Sequence, residues 1–170
     1  TLTTAMDGPS ERLRATLERR ARVTHLERAA ELARAHGMQR LKLYLMIGLP
    51  TETDDDIDEC AKLVGDLSRT IPIALGIAPF CAKRNTPMDG AAYAGIDVVD
   101  RRLTRLKRAL RGRADVRATS ARWAWVEYVL AQGGVAEGRA LREAALGRAS
   151  FGEYQAAFAA VAKAKPARRS

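Results

Sequence analysis

Cysteine is scarce in this chain of 170 residues, which contains only Cys60 and Cys81. Two cysteines at that separation fit neither a disulfide framework nor the spacing of a zinc site, and they favour a reducing compartment. Long apolar runs are also missing, since the longest, Leu43–Pro50, is far shorter than the roughly 20 residues that cross a membrane. The sequence opens on Thr1 without a signal peptide or an initiator Met. We therefore expect a cytoplasmic fragment of a longer protein, with no membrane partner.

Aromatic residues make up only 5% of the chain, whereas the net charge is +9. A basic surplus can attract nucleic acid. However, base-stacking aromatic residues are not interleaved with the basic ones, and basic residues on a helix are more often simply solvated. The sequence thus argues against a nucleic-acid partner, and a non-catalytic basic nucleic-acid-binding domain remains an alternative function. Its best evidence is one predicted helix that carries Arg101, Arg102, Arg105, Lys107, Arg108 and Arg111.

Three short extended segments alternate with helical ones, which predicts βα units and a parallel sheet in an α/β fold. Caps define the helices between the strands. Ser10 predicts the start of a helix that runs to about Arg20. Thr24 and Glu27 predict a capping box at the start of the next helix, and Thr53 predicts the start of a helix that ends near Ser68. The predicted strands are Thr1–Asp7, Leu41–Gly48 and Ile71–Pro79, and the later helices are Asp97–Arg111, Ser120–Gln132, Val135–Leu146 and Phe151–Lys163, the last opened by a Ser150–Glu153 capping box.

Each predicted strand has one bulky face and one face that is small or polar. Because side chains alternate along a strand, Leu41, Leu43, Leu45 and Ile47 share one side, and Lys42, Tyr44, Met46 and Gly48 share the other. The third segment has small residues on its corresponding face, and the first segment has Thr and Asp there. A structural parallel sheet normally fills such positions with branched residues. We therefore expect the small and polar faces to line a shared cavity, the alternative being that Ala and Gly merely admit a large neighbour.

The run from Lys42 to Thr53, which contains Met46-Ile47-Gly48-Leu49-Pro50-Thr51-Glu52, resembles a stretch of radical S-adenosylmethionine (radical SAM) enzymes. The similarity is strongest to the branch with an N-terminal cobalamin-binding domain. Ser10 to Arg14, Pro79-Phe80 with Lys83 and Thr86-Pro87, and Trp123 to Leu130 agree with that branch in order and spacing. The resemblance implies the C-terminal half of a partial (β/α)6 TIM-like barrel, with strands four to six present.

The resemblance also implies where each part of the cofactor would bind. Asp7 would lie near the ribose or amino group, Ser10 and Arg19 would reach the methionyl carboxylate, and Met46, Ile47 and Gly48 would pack against the adenine. Glu52 would brace the turn, whereas Ala78 and Pro79 would read the adenine edge. Lys42 and Tyr44 are the candidate substrate contacts, although Lys42 could instead be an ion-pair partner of an acidic residue in the missing half. The expected divisions are 1–112 for the partial barrel, 113–165 for a helical C-terminal extension and 166–170 for a disordered tail.

The chain lacks the cysteine loop that binds the iron–sulfur cluster in this family. The family holds a [4Fe–4S] cluster with a Cys-x3-Cys-x2-Cys loop, and neither Cys60, inside a predicted helix, nor Cys81, after the third strand, can replace it. The resemblance therefore implies a metal-binding oxidoreductase whose cluster is held outside this chain, as is the cobalamin of the branch that it resembles. Its substrate would be a small molecule or another compound that these residues do not identify. On its own the fragment would be inactive, would lack its N-terminal barrel half and would self-associate through an open strand edge. A methylthiotransferase of tRNA or of a ribosomal protein is a second enzyme alternative, although the helical C-terminus counts against its usual β-rich RNA-binding domain.

Overall fold

The computed structural model describes residues 1–164, and within them helices and strands alternate through most of the chain. The predicted tail, 166–170, lies outside the described residues. The strands are β1 (Leu2–Asp7), β2 (Leu41–Ile47), β3 (Ile73–Pro79) and β4 (Ala114–Ala118), and the helices are α1 (Glu11–Thr16), α2 (Val23–Ala35), α3 (Asp54–Leu67), α4 (Ile96–Ala109), α5 (Ala121–Gln132), α6 (Val135–Leu146) and α7 (Phe151–Ala164).

The four strands form one parallel sheet in the order β1-β2-β3-β4. This confirms the α/β class and the three predicted strands as parallel neighbours. The fourth strand corrects the expectation of three strands and of a helical segment from residue 113. Its residues pair with β3, with Ile73 opposite Ala114 and Ile77 opposite Ala118.

The sheet has one buried face and one open face. Leu41, Leu43, Leu45 and Ile47 are all buried, as the alternation in β2 predicts. Together with the inward sides of α2, α3 and α4 they form the core, and full burial of an aliphatic side chain stabilises the fold by roughly 1.5–3 kcal/mol. The opposite positions in β2 are half-buried or exposed, and Tyr44 keeps 44% of its surface in solvent.

Two helix boundaries differ from the sequence prediction. The first helix, α1, ends at Thr16 instead of near Arg20 because Glu18 takes a left-handed backbone conformation with φ of 54°. The second, α2, begins one residue before Thr24, and His25 Nδ1 accepts a hydrogen bond of 3.3 Å from the Arg22 backbone N–H, so the predicted Thr24–Glu27 box is wrong.

The other predicted caps are confirmed. Asp56 accepts hydrogen bonds from the Thr53 backbone N–H and hydroxyl at the start of α3. At the start of α7, the Ser150 backbone N–H donates to a Glu153 carboxylate oxygen at 2.8 Å, and the Glu153 backbone N–H donates back to the Ser150 hydroxyl at 3.3 Å. Such reciprocal bonds satisfy amide groups that a helix end otherwise leaves unpaired.

The chain divides into two compact units. The first, Thr1–Phe80 with Ala94–Ala121, contains the sheet. The second comprises Cys81–Tyr93 and the chain from Arg122 onward, and its described part contains nearly all of α5 together with α6 and α7. It has its own core, in which Val126, Tyr154 and Phe158 are buried. These units do not coincide with the predicted divisions at 112 and 165, which stay predictions. Among residues 1–164, no helix combines the length and the apolar character needed to cross a membrane.

Candidate functional site

A cavity of about 910 Å³ lies on the open face of the sheet. Its volume is near the upper end of the range of about 300–1,000 Å³ that is typical of small-molecule pockets. All four strands contribute to it, and the outward positions of β2 and β3 form its floor. The lining includes Thr3, Asp7, Lys42, Tyr44, Met46, Ala74, Gly76, Ala78, Asp115, Arg117 and Thr119.

The register of the strands arranges this lining in rows. Thr3, Lys42, Ala74 and Asp115 lie side by side across the four strands. In the next row on the same face, Tyr44 and Arg117 flank Gly76. Small β3 residues therefore separate longer side chains on β2 from those on β4, and the result is a trough that follows β3.

Tyr44 and Lys42 contact each other on the trough floor. The Lys42 ammonium lies 4.8 Å from the centre of the Tyr44 ring, a distance suited to a cation–π contact. The same ring crosses Gly76, where a Cβ atom would come within 2.7 Å of Tyr44 Cδ1 and Cε1. At Gly76 the small residue does admit a large neighbour, whereas Ala78 in the same trough is exposed.

Asp7 lies at the carboxyl end of β1, where its φ of 61° turns the chain out of the strand. Its carboxylate forms an ion pair with Arg19 Nε, and half of the Arg19 side chain is exposed. Behind this pair, the fully buried Arg14 side chain donates from Nε to the Ala21 carbonyl at 3.1 Å and from Nη1 to the Gly8 carbonyl at 3.4 Å. The Arg14 contacts fasten the two loops that carry Asp7 and Arg19.

Ser10 is fully buried and does not line the cavity. Its hydroxyl accepts a hydrogen bond from the Leu13 backbone N–H at 3.2 Å, as an N-cap does, and donates to Asp56 at 2.6 Å. Burial opposes ionisation of Asp56, yet hydrogen bonds from Ser10, the Thr53 backbone and Arg12 together lower its pKa. Both of these hydrogen bonds stabilise the fold. A role for Ser10 in binding the carboxylate of the cofactor stays a prediction.

Gly48, at the end of β2, has φ of +81°, and a Cβ atom there would lie 3.1 Å from Val99 Cγ2. Its backbone N–H donates to Glu52 at 2.8 Å, and the Leu49 backbone N–H donates to the same carboxylate at 3.3 Å. The fully buried Glu52 carboxylate also forms an ion pair of 3.0 Å with Arg102. Burial raises the pKa of Glu52, although the backbone bonds and Arg102 oppose that shift. These contacts let Glu52 brace this turn, and its assignment to the cofactor site stays a prediction.

Of the remaining candidate residues, two line the cavity and two are buried. Met46 and Ala78 line the cavity and lie opposite each other in neighbouring strands. Ile47 and Pro79 are both buried. The structure therefore brings Asp7, Lys42, Tyr44, Met46 and Ala78 to one cavity.

The cysteines do not form a metal site. Cys60 lies inside α3 and Cys81 lies beyond β3, and burial raises the pKa of Cys60 to about 12 and that of Cys81 to about 11. No cluster of three or more His, Cys, Asp or Glu side chains suited to a metal ion occurs in residues 1–164.

Sequence reasoning missed the contribution of β4. Asp115, Arg117 and Thr119 line the cavity, and the Arg117 guanidinium pairs with Asp115 at 3.0 Å. The available signal was the alternation of Ala114, Val116 and Ala118 with polar residues directly after a helix, which is weak because alanine has little preference for strands.

Comparison with known proteins gives one distant similarity. No protein-family model matches the chain, and no solved structure matches it. An uncharacterized protein of Methanocaldococcus jannaschii is 36% identical over 90 residues, which cover 52% of this chain. The matched region spans only 20% of that archaeal protein's own length.

Proposed function

We propose that this chain is part of a radical SAM enzyme and that the open face of its sheet binds S-adenosylmethionine. In this proposal β1, β2 and β3 are strands four, five and six of a partial (β/α)6 barrel, and the open face is the barrel interior. The strand β4 lies beyond the three that the resemblance supplies. The full-length protein would carry the cluster-binding portion and, in the branch it resembles, a cobalamin-binding domain.

The open face is the observation that carries the proposal. Parallel sheets normally have both faces covered, and ligands of parallel α/β folds bind beyond the carboxyl ends of the strands. Here one face is covered by helices, whereas the other carries a cavity of about 910 Å³ that extends to Asp7, Met46 and Ala78 at those ends. Such a lining combines a carboxylate with small and apolar groups.

The donor set fits the proposed cofactor. The Asp7 carboxylate is suited to accept hydrogen bonds from ribose hydroxyls or an ammonium group. Arg19, half exposed beside it, is suited to a carboxylate. The Met46 side chain and the exposed Ala78 offer an apolar surface for a flat base. In the family that the chain resembles, the bound cofactor supplies one-electron chemistry, and the residues named here would bind and orient it.

The described part of the chain does not offer a set of ligands that fits the iron–sulfur cluster. Its two cysteines lie apart, Cys60 inside α3 and Cys81 beyond β3. The cluster of this family is held by three cysteines of one Cys-x3-Cys-x2-Cys loop, which these residues do not form. We therefore assign the cluster to another part of the protein and expect this chain to be inactive by itself.

The two alternatives receive less support. The second unit is helical in its described part, unlike the β-rich RNA-binding domain expected of a methylthiotransferase. For a nucleic-acid-binding domain, two of the six basic side chains between positions 101 and 111 are already engaged: Arg102 pairs with Glu52, and Arg105 pairs with Asp58 at 2.6 Å.

Calorimetric titration with S-adenosylmethionine tests the proposal. We expect saturable one-to-one binding to the chain, and at least tenfold weaker binding to Ala78→Phe, because the larger ring fills the cavity. Ala35→Phe is the matched control, since Ala35 is an exposed alanine on α2, and its affinity should stay within twofold of the unaltered chain. Absence of saturable binding to the unaltered chain, or equal weakening by both substitutions, would contradict the proposal.

A further inference from the structure

The amino end of the cavity carries an excess of positive charge. Arg40, Lys42 and Asp115 line this end, and Arg117 lies one row further along the sheet, beside Gly76. Asp115 is engaged by Arg117 at 3.0 Å. The carboxylate at the opposite end, Asp7, is engaged by Arg19. Two cations therefore remain unbalanced at the amino end.

Neither Arg40 nor Lys42 has a carboxylate partner within residues 1–164: no ion pair or side-chain hydrogen bond joins either to another described residue. Lys42 is half-buried, and its ammonium contacts the Tyr44 ring on one side. An ammonium group in a concave, partly desolvated place interacts more strongly with an anion than an ammonium in bulk water does. The Tyr44 ring also restricts the directions from which an anion can approach.

The two ends of the cavity are far enough apart for two binding partners. Met46 lies four positions after Lys42 along β2, and at about 3.3 Å per residue this corresponds to about 13 Å. An anion held at Lys42 would therefore leave the carboxyl end free for the proposed cofactor. A molecule that reached both regions would have to be elongated and would pass the Tyr44 ring.

We infer that Arg40 and Lys42 form an anion subsite for a carboxylate or phosphate group at one end of an elongated small molecule. The identification of that molecule as the substrate rests on the proposed function, whereas the anion subsite itself does not. Arg40 and Lys42 hold the anionic end, and Tyr44 and Gly76 form the passage towards the carboxyl end. The substrate class is then an organic anion whose reacting part lies beyond Tyr44.

Titration of the ¹⁵N-labelled chain with inorganic phosphate and, separately, with adipate tests the subsite, with chloride added to keep the ionic strength constant. We expect saturable shifts of the backbone amides at positions 40–44 and 115–117, and binding at least fivefold weaker in Lys42→Gln. Lys62→Gln removes the same charge from an exposed site on α3 and should change the affinity less than twofold. The phosphate and adipate series distinguish which anionic group the subsite prefers.

Equal weakening in both variants, or no saturation by either anion, would overturn the inference, since a chain of net charge +9 attracts anions non-specifically. S-adenosylmethionine is titrated in the same samples. Anion binding at Lys42 without binding of S-adenosylmethionine would keep the subsite and reject the proposed function. The reverse result would keep the proposed function and reject the subsite.

Discussion

Replacing Glu52 by glutamine should remove the charge that holds the turn after β2 against α4. The Glu52 carboxylate is fully buried, accepts hydrogen bonds from Gly48 and Leu49, and pairs with Arg102, whose side chain is only 11% exposed. Glutamine has nearly the same shape but only one oxygen. Its amide group would therefore face either a backbone N–H or the Arg102 guanidinium, and neither accepts a hydrogen bond.

The expected loss follows from burial. Removing one partner of a buried ion pair typically costs about 3–5 kcal/mol, because the other charge is left uncompensated. An exposed pair contributes about 0–1 kcal/mol. Asp58→Asn is the matched control, since it makes the same carboxylate-to-amide change and breaks the exposed Asp58–Arg105 pair between α3 and α4.

Urea unfolding followed by far-UV circular dichroism measures both variants at pH 7. Hydrogen exchange of the Gly48 amide provides a local readout, and we expect Glu52→Gln to accelerate it while Asp58→Asn leaves it nearly unchanged. If Glu52→Gln lost no more unfolding free energy than Asp58→Asn, the buried ion pair would not be what stabilises this turn.

Three further predictions concern the same unit. Burial raises the pKa of Glu52, so the folded chain holds the Glu52 proton more tightly than the unfolded chain does, and this titration lowers the unfolding free energy as pH rises from the unfolded pKa through the folded pKa; Arg102→Met should raise the folded pKa further and enlarge this decrease in urea titrations between pH 4 and pH 8, and an unchanged decrease would contradict it. Gly76→Ala should displace the Tyr44 ring, visible in its NMR signals, and cost about 1 kcal/mol; unchanged ring signals would be inconsistent with the described packing. Light scattering should show self-association through the strand edges, and a clean monomer would refute that.

Hydrophobic alternation made most of the sheet predictable. Four aliphatic residues at every second position of β2 are enough to assign the buried face, because only one register buries all of them. The first and third strands follow from similar patterns. β4 was missed because Val116 is its only large apolar residue, so that its assignment depends on pairing with β3, which no local pattern reveals.

The candidate site was predictable only where it depends on alternation. Which side chains of β2 face the cavity follows from the period of a strand. Which residues pair with one another does not: the Glu52–Arg102 pair, at the turn after β2, joins residues 50 positions apart, and the Asp7–Arg19 pair follows the left-handed turn at Glu18. Both are consequences of tertiary packing.

Strand order has a consequence for how such a sheet can be extended. Each strand is laid beside the one before it in chain order, so β1 and β4 each keep one row of backbone groups that pairs with no described strand. A further strand-and-helix unit could join at either margin without any existing strand exchanging its neighbour. Such a sheet can therefore grow one strand at a time. Once enough units are joined, its curvature decides whether the two edge strands meet.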